Sequence, residues 1–277
     1  MKKLCFYIFF LLGSQQHAQQ LVDYNSKSKH YMLDSKKAFI VYNKLFQYGI
    51  ADAFVGGLYK GSLSVKDLKL KGNFGLGAPD LLDGELTILD GKVYQTKATG
   101  ETIEPDNEFK TSLSFVTFFK PNINFIIEKR TDEKLLLYKI SQVLSNKNAM
   151  YAIKISGKFY NVKTRAFPPV KNKPFPTLTS ILDTQKVFDF PEKEGTLVGY
   201  YIPEYLNGIN VKGFHFHFLS TDRKHGGHVL NFIGENLKIE IAELKSFELE
   251  TSRDSDFQNF NFKGKDNEIL KNIEQGY

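Results

Sequence analysis

The chain has no tryptophan, three methionines and one cysteine, Cys5, among 277 residues. A lone cysteine excludes a disulfide scaffold and any metal site built from several thiolates. After the amino-terminal leader, no apolar run approaches the roughly 18 residues needed to cross a bilayer, so the mature chain is expected to be soluble. Clustered positive charge is missing too. The net charge of +6 comes from scattered lysines, without the basic stripe that nucleic-acid binding requires.

What remains is ordinary globular material. Hydrophobic residues make up 42% and charged residues 25%, enough apolar material for one large or two medium domains. Twenty-five phenylalanines and fourteen tyrosines favour packed sheets over helical bundles.

Residues 1–18 have the layout of a secretory signal peptide. Lys2 and Lys3 precede the apolar run Leu4–Leu12, and a short polar stretch leads to Ala18. Cleavage there implies export to the periplasm or the medium; without it the protein stays cytoplasmic or tethered. Cleavage also removes two lysines and the only cysteine, leaving a chain indifferent to an oxidising compartment.

Along the mature chain, the apolar positions from Ala38 to Tyr59 fit a helix entering the turn Gly56-Gly57. Ser64 followed by Asp67 has the form of a helix cap opening Val65–Leu70. Leu82 to Tyr94 is patterned as strand, Asp90-Gly91 turn, strand. Ser112–Phe119 is an aromatic, β-branched run, and Thr131–Leu144 has helical spacing. Four of the nine prolines fall within 166–177, which predicts an ordered extended crossover. Short strands then dominate: Tyr151–Ile155 before the crossover, and Thr196–Ile202, Phe214–Leu219, His228–Ile233 and Lys238–Leu249 after it. A short helix is expected at Asn267–Glu274. Three faintly matching blocks (Phe54–Tyr59 with Leu197–Ile202, Lys71–Gly77 with Lys212–Phe218, Asp83–Leu86 with Gly226–Val229) suggest one sheet plan used twice. The expected division is a signal peptide at 1–18, a mixed-sheet domain with crossover at 19–190, and a β-rich metal-binding domain with a carboxyl-terminal tail at 191–277.

Four of the six histidines lie between 215 and 228. Strand periodicity puts His215 and His217 on one face, with Phe214, Phe216 and Phe218 on the other. Ser220 to Gly227 is polar and Gly-terminated, as a hairpin loop should be, and folding back there brings His228 opposite the pair. Three imidazoles converging from rigid strands suit an open zinc site, because each needs a partner for an acceptor nitrogen. With no thiol available, the nitrogen and oxygen donors suit Zn2+ without excluding manganese, iron or nickel. His225, mid-loop, is expected to be solvated.

Several blocks, taken in order, resemble the α-acetolactate decarboxylase family: Gly72-Asn-Phe-Gly-Leu-Gly77, Leu82-Asp-Gly-Glu-Leu86, Tyr151–Gly157, Val162-Lys-Thr-Arg165, Gly195–Tyr200, Gly208–Val211, Gly213-Phe-His-Phe-His217 and Asp222–Leu230. The resemblance implies an α/β (α+β) protein of two domains, each on a mixed or antiparallel sheet with few helices. It further implies a homodimer, one zinc ion, and decarboxylation of the small molecule (S)-2-acetolactate to (R)-acetoin and carbon dioxide. By motif, His215, His217 and His228 would be zinc ligands. Arg165 would bind the substrate carboxylate, and Glu85 would be an acidic site residue, ligand or proton donor. Glu274 is the choice for a glutamate that the family contributes from near its carboxyl terminus. One departure stands out: Ala78-Pro79-Asp80 replaces the family's usual Thr-Phe-Asn, which removes a hydroxyl. Two other classes share parts of this pattern, a secreted metal hydrolase using the three histidines and a periplasmic hydroxy-acid-binding module without chemistry.

Overall fold

In the computed structural model, residues 40–262 are described. The signal peptide, the expected helix Asn267–Glu274 and Glu274 itself lie outside them. Fourteen strands alternate with short helices. The first part of the chain runs β1 (Lys44–Tyr48), α1 (Ala51–Val55), β2 (Leu63–Ser64), α2 (Val65–Lys69), β3 (Phe74–Pro79), β4 (Glu85–Leu89), β5 (Lys92–Thr96), β6 (Thr102–Ile103) and β7 (Lys110–Thr117). Next come β8 (Ile123–Ile127), β9 (Thr131–Asp132), α3 (Glu133–Val143), β10 (Met150–Ala166) and β11 (Lys186–Ile202). The last part holds β12 (Gly213–Ser220), β13 (Gly226–Leu244), β14 (Ser246–Glu250) and α4 (Ser255–Gln258).

The strands form two sheets. The first has the order β14-β1-β7-β3-β4-β5-β6, with β2 added on β7; it is antiparallel except for the parallel pair β1–β14. The second is antiparallel and closes on itself, because β10 pairs with both β11 and β13 while β12 bridges those two. This is the expected α+β class with two sheets and few helices. Residue 190, taken as the end of the first domain, lies within β11.

Local chemistry explains most elements. Asp90 and Gly91 both take positive φ, the backbone that a two-residue hairpin between β4 and β5 demands. Ser64 caps α2 by accepting the Asp67 amide, and Asp132 caps α3 through the Leu135 amide. Three expectations need correction. The helix anticipated over Ala38–Tyr59 is, in its described part, β1 followed by a helix of five residues. Lys44–Tyr48 is wedged between β7 and β14 with both faces covered, and a strand buried on both sides carries apolar residues that mimic helical spacing. The two strands expected at 228–233 and 238–249 are instead β13, continuous from 226 to 244, and a separate β14. The polar break at Glu235-Asn236 is absorbed within β13 as irregular pairing with β10, Asn236 taking positive φ. The suggested repeat is also not upheld in its first block, since Phe54–Tyr59 is the end of α1 and a turn while Leu197–Ile202 is strand.

The layer between the two sheets positions the site. Phe74, Leu76 and Ala78 of β3 and Leu113 and Phe115 of β7 face Val198 and Tyr200 of β11 and Leu219 of β12. The Tyr200 hydroxyl reaches across, 3.1 and 3.2 Å from the Phe74 and Phe115 carbonyls. On β12, Phe216 and Phe218 join a second cluster with Leu136 and Ile140 of α3. Strand alternation therefore turns His215 and His217 the other way, toward the first sheet.

Candidate metal and carboxylate site

Three imidazoles meet between the sheets. His215 and His217 stand on β12, and His228 pairs directly opposite His217 on β13. All three are buried, and one nitrogen from each lies within 4.8 Å of the others. His215 Nε2 is 3.1 Å from His228 Nδ1. The hairpin that brings them together is pinned by the Ser220 amide donating to the His225 carbonyl. Gly226 and Gly227 then let β13 pass tightly beneath the first sheet: a Cβ on Gly226 would stand 2.5 Å from Thr96 Oγ1, and Gly227 has φ +119°. His225 stays out of the cluster, half-buried at the hairpin tip with its ring 5.1 Å from that of Phe190.

The first sheet supplies the counter-charge. Glu85 opens β4 and faces Arg165, which lies near the end of β10 and pairs with His228. Arg165 Nη1 is 3.2 Å from Glu85 Oε1, and both side chains are almost fully buried, at 3% and 8% exposure. The guanidinium also sits over the Phe167 ring, 5.0 Å from its centre. Glu85 Oε2 is 3.5 Å from His217 Nε2. The structure thus brings together five of the six residues singled out in the sequence.

Electrostatics make the cluster receptive to a cation. Burial, with the Arg165 charge added, pushes His215 down to about 3. Burial holds His217 well below its ordinary range, helped by His215 and Arg165 and opposed by the Leu86 contact. Both rings are therefore neutral at pH 7. His217 Nδ1 is 2.8 Å from the Leu86 carbonyl, which can only accept, so this nitrogen carries the hydrogen and Nε2 presents its lone pair. That lone pair and a Glu85 oxygen are two acceptors facing each other, an arrangement that a metal ion between them satisfies. Donors about 2.0–2.1 Å from a tetrahedral zinc are about 3.3 Å apart, close to the His215–His228 spacing. The donor set fits a divalent cation.

Beside the histidines is a pocket whose space, counting the part open to solvent, is about 380 Å³. Its polar wall is Glu85, Arg165, His215 and His217; its apolar wall includes Phe54, Leu76, Ala78, Phe115 and Phe167. Leu178, just past the Pro-rich crossover, closes part of it, and the crossover is tied to the first sheet by the Val170 amide donating to the Leu81 carbonyl.

A family model described as alpha-acetolactate decarboxylase matches residues 45–264, most of the chain. The chain belongs to the alpha-acetolactate decarboxylase family. It is 38% identical to the alpha-acetolactate decarboxylase of Brevibacillus brevis over 78% of this chain and 75% of that one. It is 36% identical to that of Methanosarcina mazei over 83% and 80%. The crystal structure of alpha-acetolactate decarboxylase from Bacillus subtilis strain 168 superposes with a TM-score of 0.81 at 30% identity, covering 84% of this chain and 99% of that one. The matched span holds all five converging residues and ends before Glu274.

Sequence reasoning missed the apolar wall. Phe54, Phe115, Phe167 and Leu178 carry no signal that separates them from ordinary core. Only the Gly-rich block ending in Gly77, with the departure at Ala78 that follows it, pointed toward this wall.

Proposed function

We propose that the protein decarboxylates (S)-2-acetolactate to (R)-acetoin and carbon dioxide, with zinc held by His215, His217 and His228. The observation that carries this reading is the buried histidine triad, of which His215 and His217 line one pocket with the Arg165–Glu85 pair. Family membership supplies the reaction class.

The chemistry follows from the substrate. Breaking the bond to the carboxylate leaves an electron pair on the carbon bearing the hydroxyl, and the adjacent ketone takes up that pair as an enediolate. A divalent cation supplies Lewis-acid stabilisation of negative charge developing on oxygen. Arg165 holds the carboxylate by a two-pronged contact and orients the breaking bond across the carbonyl plane. The Phe167 ring beneath the guanidinium and the burial of both keep that anchor fixed. Glu85, on the facing sheet, takes up a proton from water and passes it to the carbanionic carbon from one side, which sets the configuration of the product. The apolar wall packs the two methyl groups and excludes water from the charge that develops.

The test is His217→Ala, assayed for bound metal and for chiral acetoin. The expected result is loss of both; a metal-free variant that still forms acetoin refutes the proposal.

A further inference from the structure

The chain enters Glu85 through a turn that leucine does not readily adopt. Leu81 and Leu82 both have left-handed backbone, with φ +56° and +60°, and Gly84 follows at φ +97°. A side chain crowds its own backbone in that region, which is why glycine dominates such positions. Strain of this kind persists only where neighbours over-determine the backbone.

The neighbours can be named. Asp80 Oδ1 accepts the Gly61 amide at 2.6 Å. The Leu81 amide donates to the Tyr59 carbonyl at 2.7 Å, and the Leu81 carbonyl accepts the Val170 amide at 2.8 Å. These contacts hold the start of the turn. Its end, beside Glu85, is held from β5. Gln95 Nε2 donates to the Asp83 carbonyl at 2.6 Å and to Asp83 Oδ2 at 3.0 Å. Among the described residues, no other side chain hydrogen-bonds Asp83. Gln95 is 1% exposed, and an amide at that depth must spend its hydrogens on protein partners. Both go to Asp83.

Gln95 itself does not reach the substrate. It pairs with Leu86, and strand alternation puts that pair on the face of the sheet opposite Glu85. Leu86 packs there with Ile88 and Val93, away from the histidines. Whatever Gln95 does for the reaction passes through the turn.

We propose that Gln95 is a positioning residue for the reaction. By tying both polar groups of Asp83 it keeps the strained turn from relaxing, and so fixes the side from which Glu85 delivers its proton. This inference rests on the decarboxylation proposed above. A reacting group misplaced by about 1 Å can lose roughly a hundredfold in rate, and a loosened carboxylate reaches the carbon from both sides.

The experiment measures kcat, KM and the enantiomer ratio of acetoin, all per bound metal, for the metal-loaded full-length protein, Gln95→Met and Gln95→Glu. Methionine keeps the length of the side chain without a donor, and glutamate sets acceptor against acceptor. In both, kcat is expected to fall about tenfold or more while KM stays within about threefold, since Arg165 still anchors the carboxylate. The minor enantiomer is expected to increase. A lower kcat with the parental enantiomer ratio marks a purely structural role and overturns the assignment. If the methionine variant does not fold, the glutamate variant is read by the same criteria. Unaltered protein that forms no acetoin from 2-acetolactate overturns the decarboxylation and this inference with it. Variants that form acetoin at the parental rate and configuration overturn only this inference.

Discussion

Replacing Glu85 by Gln removes the carboxylate from its place between Arg165 and His217 while nearly preserving side-chain shape. The two charges are 3.2 Å apart and almost wholly shielded from water. At an effective dielectric near 20, their gross attraction is about 5 kcal/mol. Desolvation of both ions offsets much of that, so the pair as a whole contributes little net stability. Removing one member alone is different, because the cost of burying the other persists, and such changes typically cost about 3–5 kcal/mol. Glutamine keeps one hydrogen-bond acceptor toward the guanidinium, so Glu85→Gln should lie at the lower end, about 3 kcal/mol. Arg165→Met should cost a similar amount for the converse reason. The double variant buries neither charge and should be less damaged than the sum of the two by about 2 kcal/mol or more. Urea unfolding of the three variants and the parent, at pH 7 with a chelator present, measures this coupling free of metal linkage. Additivity within about 0.5 kcal/mol would show that the two side chains do not sense one another, and the reasoning about this site would fail.

In metal-free protein, stability should fall as pH drops below about 6.5. His215 is held down to about 3 when folded and is ordinary when unfolded, so the unfolded chain binds the proton first; the loss by pH 5 is about 2 kcal/mol. His215→Asn should flatten that slope in chelator-treated unfolding curves, and an unchanged slope would contradict it. Arg165→Ala should lower kcat/KM by a few kcal/mol equivalent while bound metal, read by elemental analysis, stays at the parental level. Gly84→Ala should unfold more easily and lose turnover. Gly84 has φ +97° and a Cβ there would stand 2.1 Å from the Thr96 carbonyl, so relief of the clash displaces Glu85 next to it. Truncation after Lys271 tests Glu274: acetoin formation at the parental rate removes that residue from the site.

The parts of the molecule legible in the sequence were those whose signal is local. Asp90-Gly91 names its own turn, because few residue pairs tolerate two positive φ values in succession. Ser64 and Asp67 announce a cap for the same reason: the hydrogen bond spans three residues. The histidine triad belongs to this class as well. His215 and His217 share a face by strand period, and the polar loop before His228 makes the return almost obligatory, so the geometry follows from about fourteen consecutive residues. β1 illustrates the opposite case. Nothing within Lys44–Tyr48 separates a strand from a helix turn; the decision is made by β14, some two hundred residues away, which pairs beside it in parallel.

The site itself falls on the boundary between these two regimes. Each half carries a readable motif, yet the contact between Glu85 and Arg165 joins residues eighty apart on different sheets. Periodicity cannot supply that contact, and family resemblance put both residues in one site without pairing them. Nor can either source yield the role of the apolar wall, whose residues are chemically interchangeable with the rest of the core.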